Sequence, residues 1–400
     1  MPKTCPPKVN ELRPITVLPA LEKILEKIVL TSIRPLLVAN IDHDQFGYLP
    51  LSSTTCALIH LCDRVTKRLE SEEAAGVALL SLDYTRAFDT ISHRILLEKL
   101  AAKHFPNGFI CWVHSYLSER FQSVRIGNSI SEPVLVKSGV PQGSLIGPFL
   151  FIFYTADLID QRKTDYIKYA DDTVIIETVG HDANKCNQQL QKTLDTIVTS
   201  SKNIKLNLNV KKSKLLLVPK KCHGLNMDEV SLPHVQKVDD LKLLGVTFSS
   251  NFKWDKHISS LLKKCNSRLY ALRILRPILS SADLELTCKS IVFSLLDYAS
   301  SVFVYLPAHL ENDISSFARR SHRIVHGFEC SCNIFEDPNT RRLRLACNLF
   351  RTAEHVGDHP LHELIPRRLD RSGQYFIELA KTSRRQRQFI LFIAMVLNGI

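Results

Sequence analysis

Long apolar runs are what this chain of 400 residues most plainly lacks. No 18 consecutive apolar residues occur, and the longest candidate, Phe389 to Leu397, is nine residues behind Arg384, Arg385 and Arg387, too short to span a bilayer. Glycine and proline are sparse, at 14 and 18, which with 45% hydrophobic residues excludes a collagenous, low-complexity or mostly disordered chain. The start, Met1-Pro2-Lys3-Thr4-Cys5, has no apolar signal-peptide core. The expectation is an intracellular protein of nucleus or cytoplasm, neither secreted nor membrane-anchored. No repeat with a period of about 20 to 50 residues is visible, so solenoids and propellers are set aside. The 11 cysteines are odd in number and irregularly spaced from Cys5 to Cys347, as suits reduced thiols. Cys330 and Cys332 form the one close pair, with His322 and His326 upstream. Zinc needs a fuller ligand set, so loop thiols are the favoured reading.

What is present is positive charge and a change of pattern. The 52 Lys and Arg against 40 Asp and Glu give a net charge of +12, and residues 251 to 400 hold 22 basic against 14 acidic residues, so the excess sits toward the C-terminal end. That balance suits a polyanionic partner. Up to residue 248 the chain reads as mixed α and β. Leu21, Ile24, Leu25 and Ile28 recur at helical spacing, with Pro35 expected to limit the helix, and Leu58, Leu61, Val65 and Leu69 mark a second. Val77 to Leu82 is a short apolar run ending on Asp83, a buried strand. Ser92 is expected to cap a helix that Pro106-Asn107-Gly108 stops, and Val124 to Ile126 and Pro133 to Val136 to form a hairpin about Gly127-Asn128-Ser129. Leu243 to Phe248 reads as one strand. After Trp254 only helices are expected, which puts a domain boundary near residue 250.

The sharpest local signal is Tyr166-Ile167-Lys168-Tyr169-Ala170, then Asp171-Asp172, then Thr173-Val174-Ile175-Ile176. Two adjacent carboxylates at a tight turn between apolar strands repel each other and call for a cation. Asp83, a third acid at a strand end, would complete an oxygen-rich site of the kind Mg²⁺ prefers. Each acid taken alone is more simply a solvated turn or a helix cap. The order of the pieces changes that balance. Asp83-Tyr84-Thr85-Arg86-Ala87-Phe88-Asp89, Ser138-Gly139-Val140-Pro141-Gln142-Gly143-Ser144, Tyr169-Ala170-Asp171-Asp172 and Leu208-Asn209-Val210-Lys211-Lys212 resemble the successive palm motifs of reverse transcriptases. Arg13-Pro14-Ile15, Gln45-Phe46-Gly47-Tyr48 before Ser53-Thr54, and Leu243-Leu244-Gly245-Val246 look like the non-LTR, LINE-type retrotransposon enzymes. The segment with Trp254, His257, Leu269 and Tyr270 looks like the thumb of their jockey-like branch.

The resemblance implies an α+β right-hand polymerase. Its fingers would occupy residues 1–80, its palm with an antiparallel sheet 81–250 with a fingers insertion near 120–140, and an all-helical thumb 251–345. A basic C-terminal tail, 346–400, is left unassigned. The activity implied is RNA-directed DNA polymerisation on an RNA template and a DNA primer with deoxynucleoside triphosphates. Catalysis would run through two Mg²⁺ ions, Mn²⁺ being the substitute, held ~4 Å apart by Asp83 and Asp171 with Asp172 beside them and the Tyr84 carbonyl as a backbone ligand. Phe88 matches the aromatic that packs under the incoming sugar and excludes a 2′-hydroxyl. Gln142 and Gly143 belong to the loop that supports template and nucleotide. Lys212 matches the lysine near the pyrophosphate, a role Lys211 or Lys214 would fill in its place, and Arg13 the fingers arginine facing the triphosphate. Lys256, Lys263 and Lys264 would meet primer and template from the thumb. Where the family usually reads Phe-Gly-Phe-Arg-Pro-Gly-Arg-Ser-Thr, this chain has Phe46-Gly47-Tyr48-Leu49-Pro50-Leu51-Ser52-Ser53-Thr54, without both arginines and one glycine. With the sequence starting just before Arg13, the expectation is a partial copy lacking the endonuclease domain; the lost arginines and missing ends motivate the competing expectation, a catalytically inactive nucleic-acid-binding remnant.

Overall fold

The computed structural model describes residues 15–220, 226–327 and 336–366, with shorter stretches between 368 and 399; Arg13, Cys330 and Cys332 lie outside them. The strands are β1 (Gly76–Leu82), β2 (Phe121–Gln122), β3 (Arg125–Ile126), β4 (Ser129–Ile130), β5 (Val134–Leu135), β6 (Asp165–Tyr169), β7 (Asp172–Val179), β8 (Lys214–Pro219), β9 (Gln236–Val238), β10 (Asp240–Leu243) and β11 (Val246–Ser249). Five of them form one sheet in the order β6-β7-β1-β8-β9. The near-continuous apolar sequence of β1 puts it at the centre, and the exposed β9 takes an edge. The sheet is not wholly antiparallel, because β9 runs parallel to β8 with Lys214 opposite Gln236 and Leu216 opposite Val238.

The chain divides into two compact units. One takes in the described residues up to Pro50, Ser81–Ile175 and Gln188–Ser213; the other takes in Leu51–Leu80, Ile176–Asn187 and the described residues from Lys214 onward.

In the first unit the opening helix runs Ala20–Ala39, straight through Pro35. Proline removes one hydrogen bond, to the Thr31 carbonyl, and both residues lie on the exposed face where water satisfies the freed oxygen. The helix His93–Ala102 starts after Ser92, but the Ser92 side chain makes no capping bond. Pro106 precedes a further helix, Asn107–Leu117, that the breaker-like Pro-Asn-Gly conceals, since proline beside a helix start costs nothing. Around Gly127-Asn128 the tight pair is β3 with β4, while β5 pairs instead with β2, so the expected single hairpin is two nested ones. Gly147–Tyr154 is almost wholly buried and supplies Phe151 and Tyr154 to the core.

The second unit begins with the helix Thr54–Glu70, whose N-cap Ser53 accepts the Cys56 N–H. The run Leu243 to Phe248 is a hairpin, β10 with β11, turning at Leu244 (φ 44°) and Gly245 (φ 84°). Two successive positive φ values make this a tight two-residue turn. The Tyr298 hydroxyl donates to the Leu244 carbonyl at 2.7 Å, and its ring lies 3.1 Å from where a Cβ on Gly245 would sit. Helices follow at Asp255–Leu275, Ser281–Cys288, Ala308–His326, Pro338–His355 and Phe389–Asn398. The stretch 346–400, expected as a basic tail, therefore contains helices. Phe350 is buried beside Tyr375 and Phe389, and the nine-residue apolar run forms a core helix. No helix among the described residues is long and apolar enough to cross a membrane.

Candidate active site

Every described residue expected at the chemical centre falls in the first unit. Asp83 is exposed immediately after β1, Asp171 is half-buried in the turn between β6 and β7, and Asp172 opens β7. β7 and β1 are neighbours, and the Ala75 N–H donates to the Val179 carbonyl at 2.8 Å. The start of β1 thus meets the end of β7, so the two strands are antiparallel. The same register carried along the strands brings Leu82, the last residue of β1, opposite Asp172, the first of β7, so Asp83 and Asp171 stand at the same end of the two strands. Asp171 and Asp172 both have partners within the protein, and Asp171 raises the hydroxyl pKa of Tyr48 after burial has already done so. Among the described residues no group of three or more His, Cys, Asp or Glu side chains is gathered closely enough to hold a metal ion. The donor set nonetheless fits a hard cation in kind, being carboxylate oxygens at one end of the strands β1 and β7.

The lysine-bearing segment is tied directly to Asp83. The Asp83 carbonyl accepts the Asn209 N–H at 2.7 Å, the Asp83 N–H donates to Ser213 Oγ at 3.3 Å, and Thr85 donates to the Asn207 carbonyl at 2.9 Å. Ser213 is fully buried and its hydroxyl donates to the Asn209 carbonyl at 3.0 Å. Lys212 is exposed in this turn, one residue before Ser213. Tyr84 bridges to Leu208, and its own hydroxyl, beside Ser201, is pushed up to about 12 by burial.

Phe88 stacks on Phe151 at 4.1 Å between ring centroids and meets the edge of Tyr48 at 6.4 Å. Its backbone is fixed by the glycine-rich loop, since Val140 donates to the Phe88 carbonyl at 3.0 Å and Gly139 to that of Ile91 at 2.8 Å. A Cβ on Gly139 (φ 88°) would lie 2.7 Å from the Asp89 Cα, so only glycine allows this approach. The Gln142 amide is engaged: Nε2 donates to Asp89 Oδ1 at 2.7 Å, and the Gln142 carbonyl accepts the Thr16 N–H at 2.7 Å. Gly143 (φ 116°) leaves room for the Thr16 carbonyl, 2.6 Å from where a Cβ would be. A cavity of about 710 Å³ opens beside this loop, lined by Ile15, Asp89, His93, Arg120 and Gln142 among others.

Asp89, Asn209 and Ser213 have no role in the sequence reading, although all three stand in or beside its motifs. Their signal, a polar residue beside a glycine-rich or acidic motif, is too common to single them out. In the second unit Lys256, Lys263 and Lys264 are exposed on the helix Asp255–Leu275 while Ile258, Leu261, Cys265 and Leu269 are buried. Lys256 is already paired with Asp240 at 2.5 Å. Leu51, at the place where the family pattern usually has its second glycine, is left-handed at φ 59°, a conformation that costs a non-glycine residue about 1–2 kcal/mol.

Residues 2–248 match the family described as reverse transcriptase (RNA-dependent DNA polymerase). The chain is 28% identical over 284 residues to the probable RNA-directed DNA polymerase from transposon BS of Drosophila melanogaster, covering 65% of this chain and 30% of that protein. It is 27% identical over 341 residues to the RNA-directed DNA polymerase from mobile element jockey of the same species, covering 80% of this chain and 36% of that protein. The chain thus spans about a third of the length of these relatives. A solved structure of telomerase from Candida tropicalis is similar at a TM-score of 0.40 and 10% identity, over 86% of this chain and 56% of that one.

Proposed function

From the premise that this chain belongs to the reverse transcriptase (RNA-dependent DNA polymerase) family, we propose that it extends a DNA primer on an RNA template by nucleotidyl transfer. The observation that carries this reading is the antiparallel pairing of β1 and β7 that brings Asp83 and Asp171 to the same strand ends, with the Lys212 turn hydrogen-bonded to Asp83 on both sides of its backbone. Asp83, Asp171 and Asp172 with the Tyr84 carbonyl would hold divalent cations, Mg²⁺ by the hardness of the donors, with Mn²⁺ as substitute. Bound there, a pair of cations supplies the charge that favours an ionised primer 3′-hydroxyl and a departing pyrophosphate.

The chain's own residues bind and orient. Lys212 offers a mobile point charge to the leaving phosphates. Phe88, stacked on Phe151, would form a floor under the sugar of the incoming deoxynucleoside triphosphate, where a 2′-hydroxyl would clash. Gln142, with its amide fixed on Asp89, and Gly143 present a shaped loop to template and nucleotide. Fingers would extend to about residue 80 with the nested hairpins as their insertion, the palm from 81 to 250, and the thumb beyond, with Lys263 and Lys264 toward the phosphates of primer and template.

The test is primer extension with purified protein, an annealed RNA template with DNA primer, deoxynucleoside triphosphates and Mg²⁺. Product in the parent and none in Asp171→Asn, with template–primer affinity of the variant within about threefold of the parent, is the expected result, because an amide keeps the shape and loses the charge. No product from a folded parent that still binds template and primer would leave a nucleic-acid-binding remnant.

A further inference from the structure

The turn carrying Asp171 is held from outside its own hairpin. Ala170, immediately before Asp171, sits at φ 59° and is buried. A left-handed alanine costs about 1–2 kcal/mol and persists only where its surroundings enforce it. The enforcing segment is Asp42–Tyr48. Phe46 donates to the Lys168 carbonyl at 2.8 Å and Lys168 to the Asp44 carbonyl at 2.8 Å, so this segment lies beside β6 through the bridge Gln45–Lys168. Gln45 is 2% exposed, and its side-chain Oε1 accepts two backbone donors, the Gly47 N–H at 2.8 Å and the Ala170 N–H at 2.9 Å. Two N–H groups converging on one atom fix that atom as the oxygen. The Gln45 Nε2 has no acceptor among the described residues, so the side chain is kept there for its acceptor alone. Gly47 allows the fit, since a Cβ on it would lie 2.5 Å from the Ala170 nitrogen.

We propose that Gln45 is a positioning residue for the carboxylate turn, holding Ala170 in its left-handed conformation through one buried amide oxygen and so fixing the direction in which Asp171 leaves the strand. This rests on the polymerase reading for its consequence in catalysis, though not for its geometry. Nothing Gln45 touches is substrate; it acts through the main chain of Ala170.

Amide hydrogen exchange followed by NMR tests the geometry without any activity. In Gln45→Met, a side chain of similar length without an acceptor, the Ala170 and Gly47 amides should exchange at least about tenfold faster, while Phe46 and Lys168, bonded to backbone carbonyls, stay near parent rates. In Gln45→Glu, which keeps an acceptor, the Ala170 amide should remain protected. In single-turnover extension at saturating nucleotide, Gln45→Met should lose roughly ten- to hundredfold in rate with template–primer affinity near that of the parent, because a small misplacement of a reacting group costs rate rather than binding. Gln45→Glu should recover part of that rate. Unchanged Ala170 exchange in Gln45→Met overturns the proposal. If that variant does not fold, a folded Gln45→Glu with a deprotected Ala170 amide overturns it equally. A parent without extension activity but with a Gln45-dependent Ala170 amide would sink the polymerase reading and leave the positioning intact.

Discussion

Replacing Lys168 by methionine should cost this protein about 3–5 kcal/mol of folding stability, the range for removing one partner of a buried ion pair. Lys168 lies in β6, three residues before Asp171, and its side chain and that of Asp42 are 1% and 2% exposed with Nζ 2.8 Å from Oδ2. The lysine also donates to the Thr155 carbonyl at 2.7 Å, and Asp42 Oδ2 accepts the Tyr166 hydroxyl at 2.9 Å. Asp42 Oδ1 has no hydrogen-bond partner among the described residues, so the carboxylate depends on the ammonium for compensation. Burial pulls the Lys168 pKa down and the charge of Asp42 pushes it back, as expected of a pair that survives only together. Urea unfolding at neutral pH measures the cost as a shift in midpoint at constant slope. Adding Asp42→Asn to Lys168→Met removes the stranded charge and should recover at least about 2 kcal/mol, a coupling that independent sites would not display. A single-variant cost under about 1 kcal/mol, the scale of an exposed pair, would refute the reasoning. So would a double variant no more stable than the single.

Phe88→Ala should keep extension activity while discrimination against ribonucleotides falls by about tenfold or more, measured as the ratio of kcat/KM for the two sugars; unchanged discrimination would return Phe88 to core packing against Phe151. His257 is buried, accepts the Thr247 N–H at 3.3 Å and has its pKa lowered to about 4, by burial first and by the charges of Lys264 and Lys242 next. The unfolded chain takes up this proton near pH 6.5 and the folded chain only near 4. Stability should therefore fall as pH drops from about 6.5 to 4, by at most roughly 3 kcal/mol from this group, and His257→Gln should flatten that stretch of the curve. Lys263→Gln with Lys264→Gln should shorten extension products and speed dissociation from template and primer while leaving single-nucleotide incorporation unchanged, because phosphate contacts hold the duplex and take no part in the bond exchange. Equal processivity in the double variant and the parent would leave both lysines as solvating charges.

The elements legible in the sequence are those whose apolar pattern and punctuation agree. Val77 to Leu82 is apolar enough to be read as a central strand, and an acid at its end marks where the chain leaves the sheet; Tyr166 to Ile176 announces its turn by two carboxylates that no apolar core would accept. The hidden elements are those where residue type and local conformation disagree. Leu244 gives no sign of a positive φ, so β10 and β11 read as one strand, and the turn is held there by Tyr298, 54 residues away. Pro35 reads as a stop, but an exposed carbonyl one turn earlier makes it cheap.

The same limit governs the candidate site. The carboxylates stand out because an unneutralised charge is chemically costly and has few explanations, whereas the residues that aim them have many. Gln45 and Ser213 each accept a main-chain N–H of a distant motif, and Asp89 accepts the side-chain amide of Gln142, at separations of 125, 130 and 53 residues. Periodicity reports which face of an element is buried and carries no information about such a partner. What does betray them is conformational: Ala170 in a left-handed turn and Gly139 against the backbone of Asp89 are arrangements the chain would not adopt unaided. At Ala170, beside Asp171, the left-handed conformation is met by one buried side chain from elsewhere, that of Gln45. On the proposed function, the acids would set which chemistry is available, and the less conspicuous Gln45 amide and Ser213 hydroxyl would hold the main chain that aims them.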